Sequence, residues 1–257
     1  MRTTVGLTMI RVIEILGQLL ILAWEALTCL LTHRPEIRNW ILQFYAVGVK
    51  SLSITNITAL FTGMVLALQA AFALASFGAE LYVGDLVSLS IVRELGPVLT
   101  ALLVGGRVGA GITAEIGSMK ITQQLDAMRA MATNPVHKLV VPRIVACVVC
   151  LPLLTIIACT IGILGGMFLA SMELQINGHY YLARVMQALT VGDIVSGVGK
   201  TVFFGFFIGI IACNNGMRVE GGADGVGHAT TETVVSASIV ILISDFFITK
   251  IFRMLGA

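Results

Sequence analysis

Charge is what this chain has least of. Asp, Glu, Lys and Arg make up 12% of its 257 residues against 57% hydrophobic residues, whereas soluble domains carry roughly 25% charged residues. Together with a mean hydropathy of +0.97, this excludes an ordinary soluble domain and identifies an integral membrane protein. The formal charge of +2 is too small to call for nucleic acid, and there is no Lys/Arg block. Cysteine is also sparse: five residues, an odd number, all in apolar stretches, which argues against a disulfide framework. Cys147 and Cys150 form a CxxC inside an uncharged span, where cysteine acts as a small hydrophobe. Catalytic motifs are missing too, with no HExxH, GxSxG or nucleophile–base arrangement. Gly197-Val198-Gly199-Lys200-Thr201 imitates the end of a phosphate-binding loop, but the first glycine of that motif would fall at Ile194. The chain itself is therefore expected to bind no ATP.

What is present is organised by length and spacing. In the run from Val12 to Leu31, the polar residues Arg11, Glu14, Gln18, Glu25 and Thr32 fall within one narrow arc at 100° per residue. This predicts an amphipathic helix lying in the membrane interface, with its elbow over 5–38; the alternative is a sixth span. No small-residue cleavage pattern follows it. Five spans are predicted beyond it, over 48–75, 85–108, 142–172, 192–214 and 233–253, each long enough to cross the hydrocarbon core. Eleven cationic residues, among them Arg2, Arg11, Arg34, Arg107, Lys138, Arg143 and Arg218, fall on one side of these spans, against Arg184, Lys250 and Arg253 on the other. The positive-inside rule then places the N-terminus in the cytoplasm and the C-terminus outside.

Five charges stand where lipid would penalise them: Arg93, Glu94, Asp193, Lys200 and Asp245. Each costs about 2.5–3.5 kcal/mol at a helix centre, so each should face protein or a wet cavity. Arg93 and Glu94 are adjacent and cannot pair with each other, whereas Asp193 and Lys200 share a face. The expectation is one polar cluster joining spans two, four and five, either as structural ion pairs or as part of a substrate path. Three GxxxG pairs (Gly105/Gly109, Gly162/Gly166, Gly205/Gly209) allow close helix approach, in a bundle or at a dimer seam.

Between spans two and three the pattern changes. Ile121, Leu125 and Met128 recur at helical spacing, with Lys120, Gln123, Gln124, Asp126 and Arg129 on the other faces. This predicts a short amphipathic helix whose Met119, Met128 and Met131 offer an adaptable surface to a partner groove. The alternative is a helix lying against the protein's own bundle or the membrane surface.

The run from Leu89 to Arg143 closely resembles the corresponding part of MlaE-type permeases, the membrane subunits of bacterial phospholipid ABC transporters. The likeness extends to Gly63-Met64-Val65-Leu66 with Gln69, to Leu151-Pro152-Leu153-Leu154 and to Ala229-Thr230-Thr231. The resemblance implies an all-α integral membrane permease, one domain over 1–257, with an interfacial helix, five spans and a cytoplasmic coupling helix over 115–133. It implies a second copy of the chain, a cytoplasmic ATPase dimer that uses the ATP, a periplasmic MCE-domain hexamer and a STAS-domain subunit. The implied function is phospholipid transport across the bacterial inner membrane that maintains outer-membrane lipid asymmetry. Arg93, Glu94, Asp193, Lys200, Asp245 and Gln69 take the transport role; Glu115, Met119, Lys120, Gln124, Leu125, Met128 and Arg129 take the ATPase contact. His228 and Glu232 depart from the family, since some relatives carry basic residues around Ala229-Thr230-Thr231. A different lipid cargo, an intramembrane lipid-modifying enzyme and a secondary transporter are the competing readings; the last needs inverted repeats, which are not visible.

Overall fold

The computed structural model describes residues 2–32 and 36–254, with side chains in the first helix for Glu14 and 17–32. The break at His33-Arg34-Pro35 and the side chains of Arg2 and Arg11 lie outside the described residues. Every regular element among the described residues is helical. In chain order these are α1 Arg2–Thr32, α2 Ile37–Val47, α3 Leu52–Ala75, α4 Val83–Ser90, α5 Gly96–Val104, α6 Ala110–Ile121, α7 Gln124–Ala130, α8 Val141–Glu173, α9 Gly178–Ala188, α10 Val191–Met217 and α11 Gly222–Met254. Single π-turns at Ile91–Leu95 and Gly105–Gly109 continue the helices on either side of them, and one at Val136–Val140 leads into α8.

Among the described residues, five helical runs are long and apolar enough to cross a membrane: Ile37–Ala75, Glu80–Ile121, Val136–Glu173, Val191–Met217 and Gly222–Met254. The first begins well before residue 48. Arg38 and Asn39 break the hydropathy of this stretch but not its helicity, and one 3-10 turn at Val49–Ser51 joins α2 to α3.

Contacts divide the chain into two compact units, with the boundaries falling inside helical runs. Unit 1 is Met1–Tyr45, Gly105–Cys147 and Phe206–Ser238; unit 2 is Ala46–Val104, Val148–Gly205 and Ile239–Ala257.

In unit 1, α1 buries Leu22, Ala26 and Cys29, while Leu20, Ile21, Trp24 and Leu31 stay exposed. The amide of Asn134 reaches Cys29 Sγ at 3.8 Å, tying α1 to the chain just before α8. The rest of the core is built by close approach of small residues. A Cβ on Gly216 would meet Ile116 at 2.8 Å, and one on Gly117 would meet Val219 at 2.7 Å.

In unit 2, an apolar core of Ala67, Ala71, Val83, Val87, Ile91, Val92, Ala170 and Tyr181 joins α3, α4, α8 and α9. Gly63 lies against the Gly162 carbonyl so closely that a Cβ there would overlap it, and Gly165 lies against the Leu60 carbonyl. The Gly162/Gly166 pair thus serves an α3–α8 crossing inside this unit, the close-packing use of such spacings.

Candidate functional site

The charged cluster of unit 2 starts from a proline. Pro97 has no N–H, so at the start of α5 it leaves the turn before it short of a donor. The Arg93 carbonyl, four residues earlier, is met by the Lys200 ammonium at 2.9 Å. Gly197, one turn before Lys200, lies so close to the Val92 carbonyl that a Cβ there would overlap it. The glycine-rich Gly197-Val198-Gly199-Lys200 stretch is therefore a device for bringing α10 against a proline-broken π-turn, and not a phosphate loop. π-turns of this kind are frequent at functional sites.

Lys200 is 2% exposed, and its three N–H groups have three acceptors. Besides the Arg93 carbonyl these are Glu94 Oε2 at 2.8 Å and Asp245 Oδ1 at 3.2 Å. Thr249 of α11 adds its hydroxyl to Glu94 Oε1 at 3.3 Å. Next to them, Arg93 Nε donates to Asp193 Oδ1 at 2.6 Å. The five charges expected to converge do so, in two linked sets.

Asp193 has a further role that the charge pattern did not reveal. Its Oδ2 accepts from Thr190 N at 2.9 Å and Thr190 Oγ1 at 2.8 Å, while Asp193 N points back to Thr190 Oγ1 at 3.3 Å. This is a reciprocal capping box at the start of α10. The Thr190-x-x-Asp193 spacing carries that signal in the sequence. One carboxylate thereby both starts the helix and fixes Arg93.

The cluster opens into a recess of about 820 Å³, also lined by Ser196, Thr249, Phe252 and Arg253. Asp193 is 3% exposed at its side chain, but Arg93 is 53% exposed, so the guanidinium is held by Nε and presents its other donors to the recess. Two cations and three carboxylates sum to one formal negative charge, and Arg253 at the rim offsets it. The arrangement offers fixed hydrogen-bond donors to an anionic group beside an apolar surface. Gln69 is exposed on α3 and takes part in none of these contacts.

A second ion pair of unit 2 was not foreseen. Arg184 of α9 pairs with Asp85 at the start of α4 and stacks 4.4 Å over the Tyr82 ring. The hydrogen bonds that Arg184 donates to the Asp85 carboxylate raise its pKa above the usual value. Burial raises that of the neighbouring Tyr181 phenol.

In unit 1, the segment read as one helix over 115–133 is two. Thr122 and Gln123 turn the chain, Gln123 with φ 58°, before α7 begins. Leu125 is 1% exposed, so the chain itself covers it and it does not stand on the surface as the anchor reading has it. Met119, Lys120 and Met128 are half-buried; Gln124, Arg129, Ile121 and Met131 are exposed. Asp126 draws Arg129 to 3.4 Å and Lys120 to 3.9 Å. The segment closes where Asn134 Oδ1 accepts from Val136 N at 2.8 Å around Pro135, a cap with proline in the first turn. Glu115 is exposed but engaged, 2.9 Å from the fully buried Arg143.

The model of the MlaE permease family matches residues 40–251. A protein of Rickettsia bellii named "Probable ABC transporter permease protein" is 40% identical over 249 residues, 97% of this chain and 96% of its own length. A similarly named protein of Synechocystis is 42% identical over 219 residues, 85% of this chain and 83% of its own length. The "Intermembrane phospholipid transport system permease protein MlaE" of Haemophilus influenzae is 40% identical over 232 residues, 88% of each chain.

Proposed function

Because the chain belongs to the MlaE permease family, we propose that it moves glycerophospholipid between the inner membrane and a periplasmic MCE-domain hexamer, in the service of outer-membrane lipid asymmetry. A second copy of the chain and a cytoplasmic ATPase dimer complete the transporter, with a STAS-domain subunit beside the ATPase. The N-terminus is cytoplasmic and the C-terminus periplasmic. The chain is the non-catalytic permease, and the partner uses the ATP.

One observation carries the substrate reading: a half-exposed guanidinium, braced by a buried carboxylate, faces a recess whose other wall is aromatic. Arginine donors match phosphate oxygens, and Phe252 gives the apolar flank an acyl chain needs. The phospholipid carried by the Haemophilus relative's name fits the same chemistry. Lys200 does not reach for the lipid in this reading; it holds Glu94, Asp245 and the Arg93 backbone in place. The exposed residues of the 115–133 segment (Gln124, Arg129, Ile121 and Met131), with Lys120 and Met128, meet the ATPase, and Leu125 supports them from inside.

The test is reconstitution of the chain with its copurifying subunits and a fluorescent-phospholipid transfer assay. Arg93→Gln should keep assembly and ATPase content while transfer falls about tenfold or more, the scale of losing a charge-assisted contact. Mass spectrometry of copurified lipids should return glycerophospholipid. Wild-type transfer by the variant, a sterol-like copurified lipid, or lipid conversion by the chain without ATP would each overturn the reading.

A further inference from the structure

Unit 1 contains a second recess, remote in sequence from the charged cluster. About 570 Å³ in volume, it lies between α1 and the C-terminal end of α10, with Gln18, Ile21 and Glu25 on one wall and Asn214, Met217 and Arg218 on the other. Two polar atoms here are buried without a hydrogen-bond partner among the described residues, Gln18 Oε1 and Asn214 Nδ2. Asn214 is 5% exposed. Buried donors and acceptors are almost always satisfied, so a pair left open at one recess needs an explanation. Gln18 spends its own amide on Glu14, at 3.3 Å, and leaves its carbonyl oxygen to the recess.

The recess therefore offers one unpaired donor with a cation, Asn214 and Arg218, and one unpaired acceptor with an anion, Gln18 and Glu25. We infer that it is a binding site for a zwitterionic phosphoethanolamine headgroup: phosphate against Asn214 and Arg218, ammonium against Gln18 and Glu25. Phosphatidylcholine is disfavoured because its trimethylammonium has no N–H for Gln18, and phosphatidylglycerol because it has no cation for Glu25.

The surroundings identify the source as a membrane lipid. Ile21 lines the recess and is 68% exposed, and Leu20 (71%) and Trp24 (69%) continue the same outward face of α1. An apolar face carrying a tryptophan is how interfacial helices sit at headgroup level. The recess thus opens where headgroups are. This inference concerns a site separate from the Lys200 cluster and does not depend on what that cluster carries.

The test is photo-crosslinking on the full chain with its copurifying subunits, in bilayers of phosphatidylethanolamine, phosphatidylglycerol and phosphatidylcholine in equal parts. Met217 is replaced by p-benzoylphenylalanine, with Ile21 as a second probe position and Leu20 as the bulk-lipid reference. Adducts at Met217 or Ile21 should contain about fivefold more phosphatidylethanolamine than adducts at Leu20, the scale of one added polar contact. Glu25→Gln and Arg218→Gln should each return that ratio towards one, with membrane abundance unchanged. Equal composition at all three positions, an excess of phosphatidylglycerol, an adduct to another protein, or no adduct would overturn the inference.

Discussion

The two units each hold a polar network across three helical segments, and the networks differ in what a deletion leaves behind. In unit 1, Thr233 Oγ1 lies 2.9 Å from Thr113 Oγ1 and 2.9 Å from Asn215 Nδ2, and donates to the Ala229 carbonyl of its own helix at 2.8 Å. Thr113 reaches the Ala212 carbonyl at 3.1 Å. All members are neutral, and the threonines have carbonyls within reach. In unit 2, Lys200 spends every hydrogen on a neighbour, two of them carboxylates. A neutral hydrogen bond contributes about 1 kcal/mol net, whereas stranding one member of a buried ion pair costs about 3–5 kcal/mol. The unit 1 network should therefore behave as glue and the unit 2 network as a keystone.

The largest expected effect comes from Lys200→Met. It leaves Glu94 and Asp245 facing each other with no cation and the Arg93 carbonyl without its donor, a loss of about 3–5 kcal/mol. Thermal unfolding in detergent should drop sharply and lipid transfer should vanish. Adding Glu94→Gln and Asp245→Asn to Lys200→Met removes the stranded charges and should recover much of the stability. If transfer recovers with it, the charges are structural only; if it stays absent, they serve transport.

Gly197→Ala keeps all five charges and attacks only their placement. The new Cβ would overlap the Val92 carbonyl, and backbone cannot yield as a flexible side chain does. Overpacking of this kind costs about 1–3 kcal/mol. Transfer should fall more than stability, because α10 moves off the π-turn and Lys200 loses the Arg93 carbonyl. Unchanged transfer together with an unchanged melting temperature would show that the close approach is not needed.

The comparison also explains which parts were legible in the sequence. Charges inside lipid-length apolar runs are rare enough to stand out, so Arg93, Glu94, Asp193, Lys200 and Asp245 could be grouped before any geometry was known. The five spans were visible for the same reason. The turn at Gln123 was not, because a left-handed glutamine has no strong sequence signature. Apolar spacing put Leu125 on a stripe but could not say whether the stripe is covered, and at Leu125 it is. Gln69 entered through resemblance alone and sits apart from the cluster. Asp85 and Arg184 are 99 positions apart, and no local pattern links them.

Leu125 acts on one local segment and leaves the charges of unit 2 untouched. Leu125→Ala should cost about 2–5 kcal/mol there, as buried leucine truncations do. Limited proteolysis should then cut near Thr122 and Gln123, with the membrane spans intact. Met128→Asp, on the half-buried flank, should leave proteolysis unchanged and lower the amount of ATPase that copurifies. The reverse pattern would place the partner contact on Leu125 after all.

The smallest effect should be that of Thr233→Val, and it tests the glue reading directly. Valine keeps the shape of threonine and removes its hydroxyl, so Asn215 Nδ2 loses an acceptor and Thr113 loses one of two neighbours. Thr113 keeps the Ala212 carbonyl, and Asn215 is only half-buried and can turn towards water. The expected loss is about 1 kcal/mol, read as a small shift in thermal unfolding with lipid transfer near wild type. Thr113→Val with Thr233→Val should then cost less than the sum of the two single changes, because the shared contact can be lost only once. A loss as large as that of Lys200→Met would mean that the hydroxyls carry strain or water that the distances do not reveal, and the contrast between glue and keystone would fail.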